Sequence, residues 1–369
     1  MRISPLGKGM NDLRTGLSYG DVLLVPQRSP VDSRSDVDLS TRLTPNIELE
    51  TPLVSAAMDT VTEAELAVEL SRAGGIGVLH RFLTVDEQAA QVERVVDAGE
   101  RVAAAVGINE DYVARSAALV AADVDALVVD VAHGHLERTI AAVEEIAEEF
   151  PETDLVAGNV ATPEGVEDLA AAGADCVKVG IGPGSHCTTR KVAGAGVPQL
   201  TAVDDCADAA PDDVTICADG GIQTSGDAVK ALMAGADTVM MGSLFAGTAE
   251  APGETVEIDD VRYKRSRGMA TTAAAEERSD KGENVTADEG VEGLTPYKGP
   301  VGDVVEEFCA GIRSGLSYCG GHDLAAARAN AEFIRVAASA KEREGAHSDD
   351  EWETVSVDST KHARADADD

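Results

Sequence analysis

Three features of the sequence predict an α/β chain closed into a (β/α)8, or TIM, barrel. Eight short apolar runs recur between Thr51 and Ser243, most of them unbroken, as strands buried on both faces would be. Ala- and Glu-rich segments of helical pattern separate the runs, and such alternation implies parallel pairing through right-handed crossovers. No GxGxxG follows an early strand, which counts against an open doubly wound sheet. Eight strand–helix units therefore point to a closed ring.

In chain order the predicted strands are Thr51–Ala56, Gly75–His80, Val102–Ile108, Ala126–Ala132, Asp154–Val160, Cys176–Ile181, Thr215–Gly220 and Thr238–Ser243. Leu136–Glu149 and Gly165–Ala172 are representative helices between them. The rhythm breaks over 262–300. Thr271–Val291 is rich in Ala, Glu, Asp, Gly and Thr without an apolar period, and reads as a loop or lid over about 270–295. Helical patterning resumes at Val301–Gly311 and Leu324–Lys341. Residues 1–347 are thus read as one barrel domain with an N-terminal extension, and 348–369 as an acidic, disordered tail.

Composition narrows the class. Hydrophobic residues reach 44% but aromatics only 3%, so the core must be built from Ala, Val, Ile and Leu. The 36 glycines suit many tight strand-to-helix turns. A net charge of −37 repels nucleic acid and excludes it as a partner. The same field repels phosphorylated substrates, so a phosphate site has to be made locally from backbone N–H groups. Acidic residues are spread along the chain rather than confined to one tail, as on a halophilic surface whose self-repulsion salt screens. No apolar run nears the ~20 residues of a membrane span, and the N-terminus lacks a signal-peptide core, so no membrane partner is expected. The six cysteines are scattered without a CxxC pair, which disfavours disulfides or zinc and suits a reducing cytoplasm.

Chemistry in such barrels collects where strands end. The run Val179–Arg190, VGIGPGSHCTTR, carries a strand into a glycine-rich turn holding one cysteine. Converging backbone N–H groups there would stabilise a thiolate. On this chemistry alone Cys187 is as readily an inert buried thiol as a nucleophile. Ala218–Ile222, ADGGI, offers a carboxylate for a ribose diol and backbone donors for a phosphate. Met240–Ser243, MMGS, ends the eighth strand, and phosphate sites are often shared by the last two loops. Each of these two motifs alone is also ordinary turn chemistry.

Together with Tyr19–Val25 (YGDVLLV), Pro52–Thr62 (PLVSAAMDTVT), Ala157–Thr162 (AGNVAT), Arg267-Gly268-Met269, Glu289–Gly293 (EGVEG), Tyr297-Lys298-Gly299 and Ile312–Gly320 (IRSGLSYCG), these stretches resemble the IMP dehydrogenase/GMP reductase family, in order over roughly 10–340. The resemblance implies a homotetramer of (β/α)8 barrels acting on a purine nucleotide through a thioimidate on Cys187. It implies that Thr189, with Glu289, helps activate water or ammonia. It places Asp219 on the ribose and Ser185, Gly221, Gly242 and Ser243 on the phosphate. Asn159, Met269, Ser55, Met58 and Gly268 fall among the remaining substrate contacts, and Asp130 and Ala132 on the cofactor side. Backbone carbonyls of Gly182, Gly184 and Cys187 match a potassium site.

Within that family two directions of hydride transfer are possible. Only Leu83–Arg101 separates the second and third strands, so the regulatory CBS modules of many dehydrogenases are absent. Dehydrogenases hydrolyse the thioimidate with a general base from an Arg-Tyr pair on a long flap. Here thirteen residues, Glu276–Asp288, fill that place and contain no tyrosine; Arg278 is followed by Ser279. This favours an NADPH-dependent GMP reductase forming IMP and ammonia. Ala132–His135, EGVEG and Ser314–Gly320 look more like an NAD-dependent IMP dehydrogenase. Ser266 stands in place of an aromatic residue, and Arg81 in place of the reductases' usual lysine. A non-catalytic nucleotide-binding regulator is the third possibility, against which Cys187 and Thr189 both argue.

Several residues take plainer readings. His186 adjoins Cys187, but neighbouring side chains cannot easily face each other across a turn, so it reads as structural. His133 and His135 lack a third ligand and read as loop residues. Cys176, Cys206, Cys217, Cys309 and Cys319 read as small core or helix residues.

Overall fold

The computed structural model describes residues 13–109, 112–269 and 290–340. Eight parallel strands close into one barrel: β1 (Leu53–Ser55), β2 (Ile76–Leu79), β3 (Val102–Val106), β4 (Ala126–Asp130), β5 (Asp154–Val160), β6 (Cys176–Val179), β7 (Thr215–Asp219) and β8 (Thr238–Met241). All eight lie within the predicted runs. The ring closes where β8 meets β1, with Val239 beside Leu53 and Met241 beside Ser55. Alternation explains the continuous apolar runs. Val54, Val78, Ala103, Ala105, Val128, Val156 and Cys176 pack in one cluster inside the ring, while Leu53, Leu79, Ala104, Leu127, Leu155 and Val177 pack under the helices. Small interior residues let a narrow barrel fill without aromatics.

The outer helices are α1 (Ala64–Arg72), α2 (Val85–Asp97), α3 (Tyr112–Ala121), α4 (Glu137–Glu149), α5 (Pro163–Ala171), α6 (Gln199–Ala209), α7 (Ser225–Met233) and α8 (Val301–Tyr318). Their starts carry local signals. Thr84 and Glu87 form a capping box on α2, Thr224 and Asp227 another on α7, and Thr162 caps α5 with Pro163 at its first position. α8 packs between α7 and α1 and completes the helical ring. It runs on past Gly311, where the sequence suggested an end.

The expected helix Leu324–Lys341 is corrected to Leu324–Asn330. The chain then turns extended, and Phe333–Arg335 forms a strand paired with Val22–Leu24. Cross-strand pairing overrides helix propensity there. Residues 335–369 cluster as a second small unit, of which 335–340 are described and contain one turn, Ala340 N–H to the Ala337 carbonyl. The expected acidic tail lies outside the described residues.

Two antiparallel additions were not read from the sequence. A hairpin, Thr41–Thr44 with Ile47–Leu49, sits against the N-terminal end of the barrel, where Thr44 and Asn46 bond Asp154 at the start of β5. Thr255–Ile258, Val261–Arg267 and Glu292–Pro296 form a three-stranded sheet that flanks the long loop after β8. Among the described residues no helix is long and apolar enough to cross a membrane.

Candidate active site

The strand ends open into a cavity of about 450 Å3. Its most reactive feature is built by glycine. Beyond β6, Gly180 packs so close to β7 that a Cβ would sit 2.1 Å from the Asp219 carbonyl oxygen. Gly182, at φ +71°, lies against the stem of Arg190. Arg190 then braces the turn by donating to the carbonyls of Ile181 (3.2 Å) and Val197 (2.6 Å). Cys187 N–H closes the turn onto the Gly184 carbonyl at 3.1 Å. The Cys187 thiol is exposed, with its Sγ 3.1 Å from Thr189 Oγ1. The other five cysteines are buried, and burial pushes Cys206 and Cys217 up to about 12 and Cys309 to about 11. Of the six cysteines, Cys187 alone is exposed.

A polar network forms the floor beside it. Lys178, on β6, is 1% exposed, with its ammonium 2.5 Å from Asp130 Oδ1, 2.8 Å from Asn159 Oδ1 and 3.1 Å from Asp219 Oδ2. Burial alone would lower its pKa, but Asp130 and Asp219 outweigh that and hold it above the ordinary lysine value. Asn159 Nδ2 in turn donates to Asp219 Oδ2 (2.9 Å) and to the Gly180 carbonyl (3.0 Å). The site carboxylates of β4 and β7 are therefore fixed by one buried cation. The sequence reading passed over this lysine. Its signal was a lone charge inside the apolar run CVKVGI, since a charge in a buried strand needs partners.

The turn next to Asp219 is made of glycine. Gly220 and Gly221 take φ of +87° and +77°, which side-chain-bearing residues resist. Gly242, after β8, touches Met58; a Cβ there would meet its sulfur at 2.8 Å. Arg267 binds Asp59 through Nε (3.0 Å) and Nη2 (2.5 Å), tying the loop after β1 to the strand that leads into Gly268 and Met269. Across the barrel, Phe82 N–H donates to His80 Nδ1 (3.2 Å) and shapes the turn that presents Arg81 and Phe82 to the cavity.

The cavity thus gathers Cys187, Thr189, Met58, Asn159, Ser185, Asp219, Gly221, Gly242, Ser243, Gly268, Met269, Asp130, Ala132, Gly182 and Gly184. Of the expected substrate contacts, Ser55 is the one the cavity lining does not include. It is fully buried on β1, outside the lining, and its Oγ accepts from Thr62 Oγ1 at 2.8 Å. Glu289 lies outside the described residues. His135 pairs with Asp168 at 2.8 Å, consistent with a loop role. Among the described residues no group of three His, Cys, Asp or Glu could hold a metal ion. Asp130 at the end of β4, Val131 and Ala132 after it, and Arg81 and Phe82 after β2 line the part of the cavity that could hold a nicotinamide cofactor. There a carboxylate and backbone polar groups face space shared with the thiol.

A family model described as IMP dehydrogenase / GMP reductase domain matches residues 16–347. Inosine-5'-monophosphate dehydrogenase of Aquifex aeolicus (strain VF5) is 38% identical, over 88% of this chain and 94% of that one. GMP reductase of Leishmania donovani is 34% identical, over 91% and 97%. The crystal structure of a GMP reductase from Trypanosoma brucei in complex with guanosine 5'-monophosphate superposes with a TM-score of 0.87 at 32% identity, covering 91% of this chain and 98% of that one. The chain belongs to the IMP dehydrogenase/GMP reductase family, oxidoreductases of purine nucleotide metabolism.

Proposed function

We propose that the protein is a GMP reductase, converting GMP to IMP and ammonia with NADPH. Asp219 and the Gly220-Gly221 turn hold ribose and phosphate, with Ser185, Gly242 and Ser243 completing the phosphate contacts. The Cys187 thiolate adds to C2 of the purine. The 2-amino group takes a proton and leaves as ammonia, and a thioimidate remains on Cys187. A reduced nicotinamide bound beside Asp130 and Ala132 would supply the hydride that C2 needs before the Cys187 thiolate can leave. Thr189, 3.1 Å from the sulfur, with Glu289 carries the proton that ammonia needs. Carbonyls of Gly182, Gly184 and Cys187 would hold a potassium ion, whose charge would steady the turn.

The observation that carries the direction is the content of residues 270–289. An Arg-Tyr pair to deprotonate water is missing there, and general-base assistance is worth roughly 10²–10⁴-fold. One specific observation favours the reverse assignment, NAD-dependent oxidation of IMP to XMP: relatives named IMP dehydrogenase, including that of Nitrosopumilus maritimus (strain SCM1), are 37–38% identical to this chain. Product analysis separates the two. GMP with NADPH is expected to give IMP and ammonia at a sustained rate. Sustained XMP from IMP and NAD, with no GMP reduction, would replace the reading with its alternative.

A further inference from the structure

We propose that His186 is a positioning residue for Cys187, its imidazole fastening the nucleophile's turn to the neighbouring strand Val261–Arg267. The inference rests on the reading of Cys187 as the nucleophile. His186 Nε2 lies 3.0 Å from Ser266 Oγ, and Nδ1 lies 3.2 Å from Ser185 Oγ. Ser266 is 2% exposed and is itself anchored to Thr295 Oγ1, 2.9 Å away on the adjacent strand Glu292–Pro296. The His186 carbonyl accepts from Val291 N–H at 3.0 Å on the same side. Both the main chain and the side chain of His186 thus grip the sheet beside the cavity.

The turn has reason to need such a grip. It contains Gly182 and Gly184, which lose more backbone freedom on ordering than other residues. Its thiol faces solvent, so packing does little to hold it. A neutral imidazole offers one donor and one acceptor, and hydroxyls serve either role, so the chain Ser185–His186–Ser266–Thr295 is satisfied in either tautomer. With both nitrogens directed at serines, the ring is not arranged as a base for Cys187. Its action on the sulfur is through the backbone that joins them.

The test uses the full-length enzyme, steady-state kinetics and the alkylation rate of Cys187 by iodoacetamide, read by mass spectrometry. His186→Ala is expected to lower kcat by roughly ten- to a hundredfold, the scale of a small misplacement of a reacting group, with KM for the nucleotide within about twofold. Glutamine places its amide nitrogen near the Nε2 position, and asparagine near Nδ1. His186→Gln should therefore restore most of kcat while His186→Asn does not. Ser266→Ala should reproduce the loss, and the double variant should be no worse than His186→Ala, since coupled groups are non-additive. If His186→Ala fails to fold, Ser266→Ala and His186→Gln carry the test. Additive losses, equal behaviour of the Gln and Asn variants, or an unchanged kcat overturn the proposal. The alkylation rates should follow the same order, and they report on the turn whether or not Cys187 proves to be the catalytic nucleophile. Activity surviving in Cys187→Ala strikes the functional reading instead.

Discussion

Six cysteines share one chain, and environment alone sorts them. Five are buried, and all five have pKa values raised by burial; Cys187 stands exposed on a glycine turn with a hydroxyl beside it. Cys187→Ala is therefore expected to abolish turnover while nucleotide still binds, as equilibrium dialysis with GMP would show. Turnover above a few per cent of wild type would remove the covalent step. This distinction was half legible in the sequence: the glycines and the cysteine were visible, the exposure was not. Lys178 was harder to see, because its partners Asp130 and Asp219 lie on other strands and meet only when the barrel closes. Removing one partner of a buried charge cluster typically costs about 3–5 kcal/mol. Lys178→Met should accordingly lower the melting temperature clearly and raise KM for the nucleotide, because Asp130 and Asp219 would face each other uncompensated. A variant with unchanged melting and KM would show that the lysine holds neither. Ser55 is the opposite case. Its motif matched, but its position on β1 puts its side chain in the packing under the loop, bonded to Thr62.

At the level of elements, the eight strands were legible because burial on both faces writes an unbroken apolar run for each. The helix ends were less so. Gly311 looked like a stop, since glycine commonly follows a helix end. It lies mid-helix because α7 approaches too closely for a side chain: a Cβ on Gly311 would sit 2.1 Å from Ser225 Oγ, and one on Gly315 would sit 2.5 Å from Val229 Cγ2. Only tertiary contact reveals that use of glycine. Two effects compete at Gly315. Alanine gains about 1 kcal/mol in helix propensity, but overpacking costs typically 1–3 kcal/mol, and a β-branched valine cannot swing aside freely. Gly315→Ala should therefore destabilise α8. Gly302, in the first turn of the same helix, has nothing within 4 Å of its Cβ position. Gly302→Ala should stabilise by about 0.5–1 kcal/mol. Urea titrations of the two variants should move in opposite directions; shifts of the same sign would show that crowding does not govern Gly315. The pairing of Phe333–Arg335 with Val22–Leu24 was likewise invisible locally, because it joins the two ends of the barrel sequence.

For the whole molecule, the fold follows from strand periodicity, and charge bears on how it responds to salt. A net charge of −37 repels itself over a Debye length of ~30 Å in 0.01 M salt and only ~3 Å at 1 M. The melting temperature should rise steadily with KCl, and any assembly of subunits should dissociate on dilution into low salt, seen by light scattering. Melting indifferent to salt would mean the acidic surface is not an adaptation to it. Activity should also prefer KCl to NaCl at equal ionic strength, if the turn carbonyls select the ion. The central claim is that the thioimidate on Cys187 exchanges ammonia, and not water, at C2. Mixing the enzyme with IMP and oxidised cofactor, without ammonium, tests that most directly. The account predicts a burst of reduced cofactor of about one equivalent per Cys187, then a stall, with GMP released when ammonium is added. Linear production of XMP from the first turnover onward would contradict it.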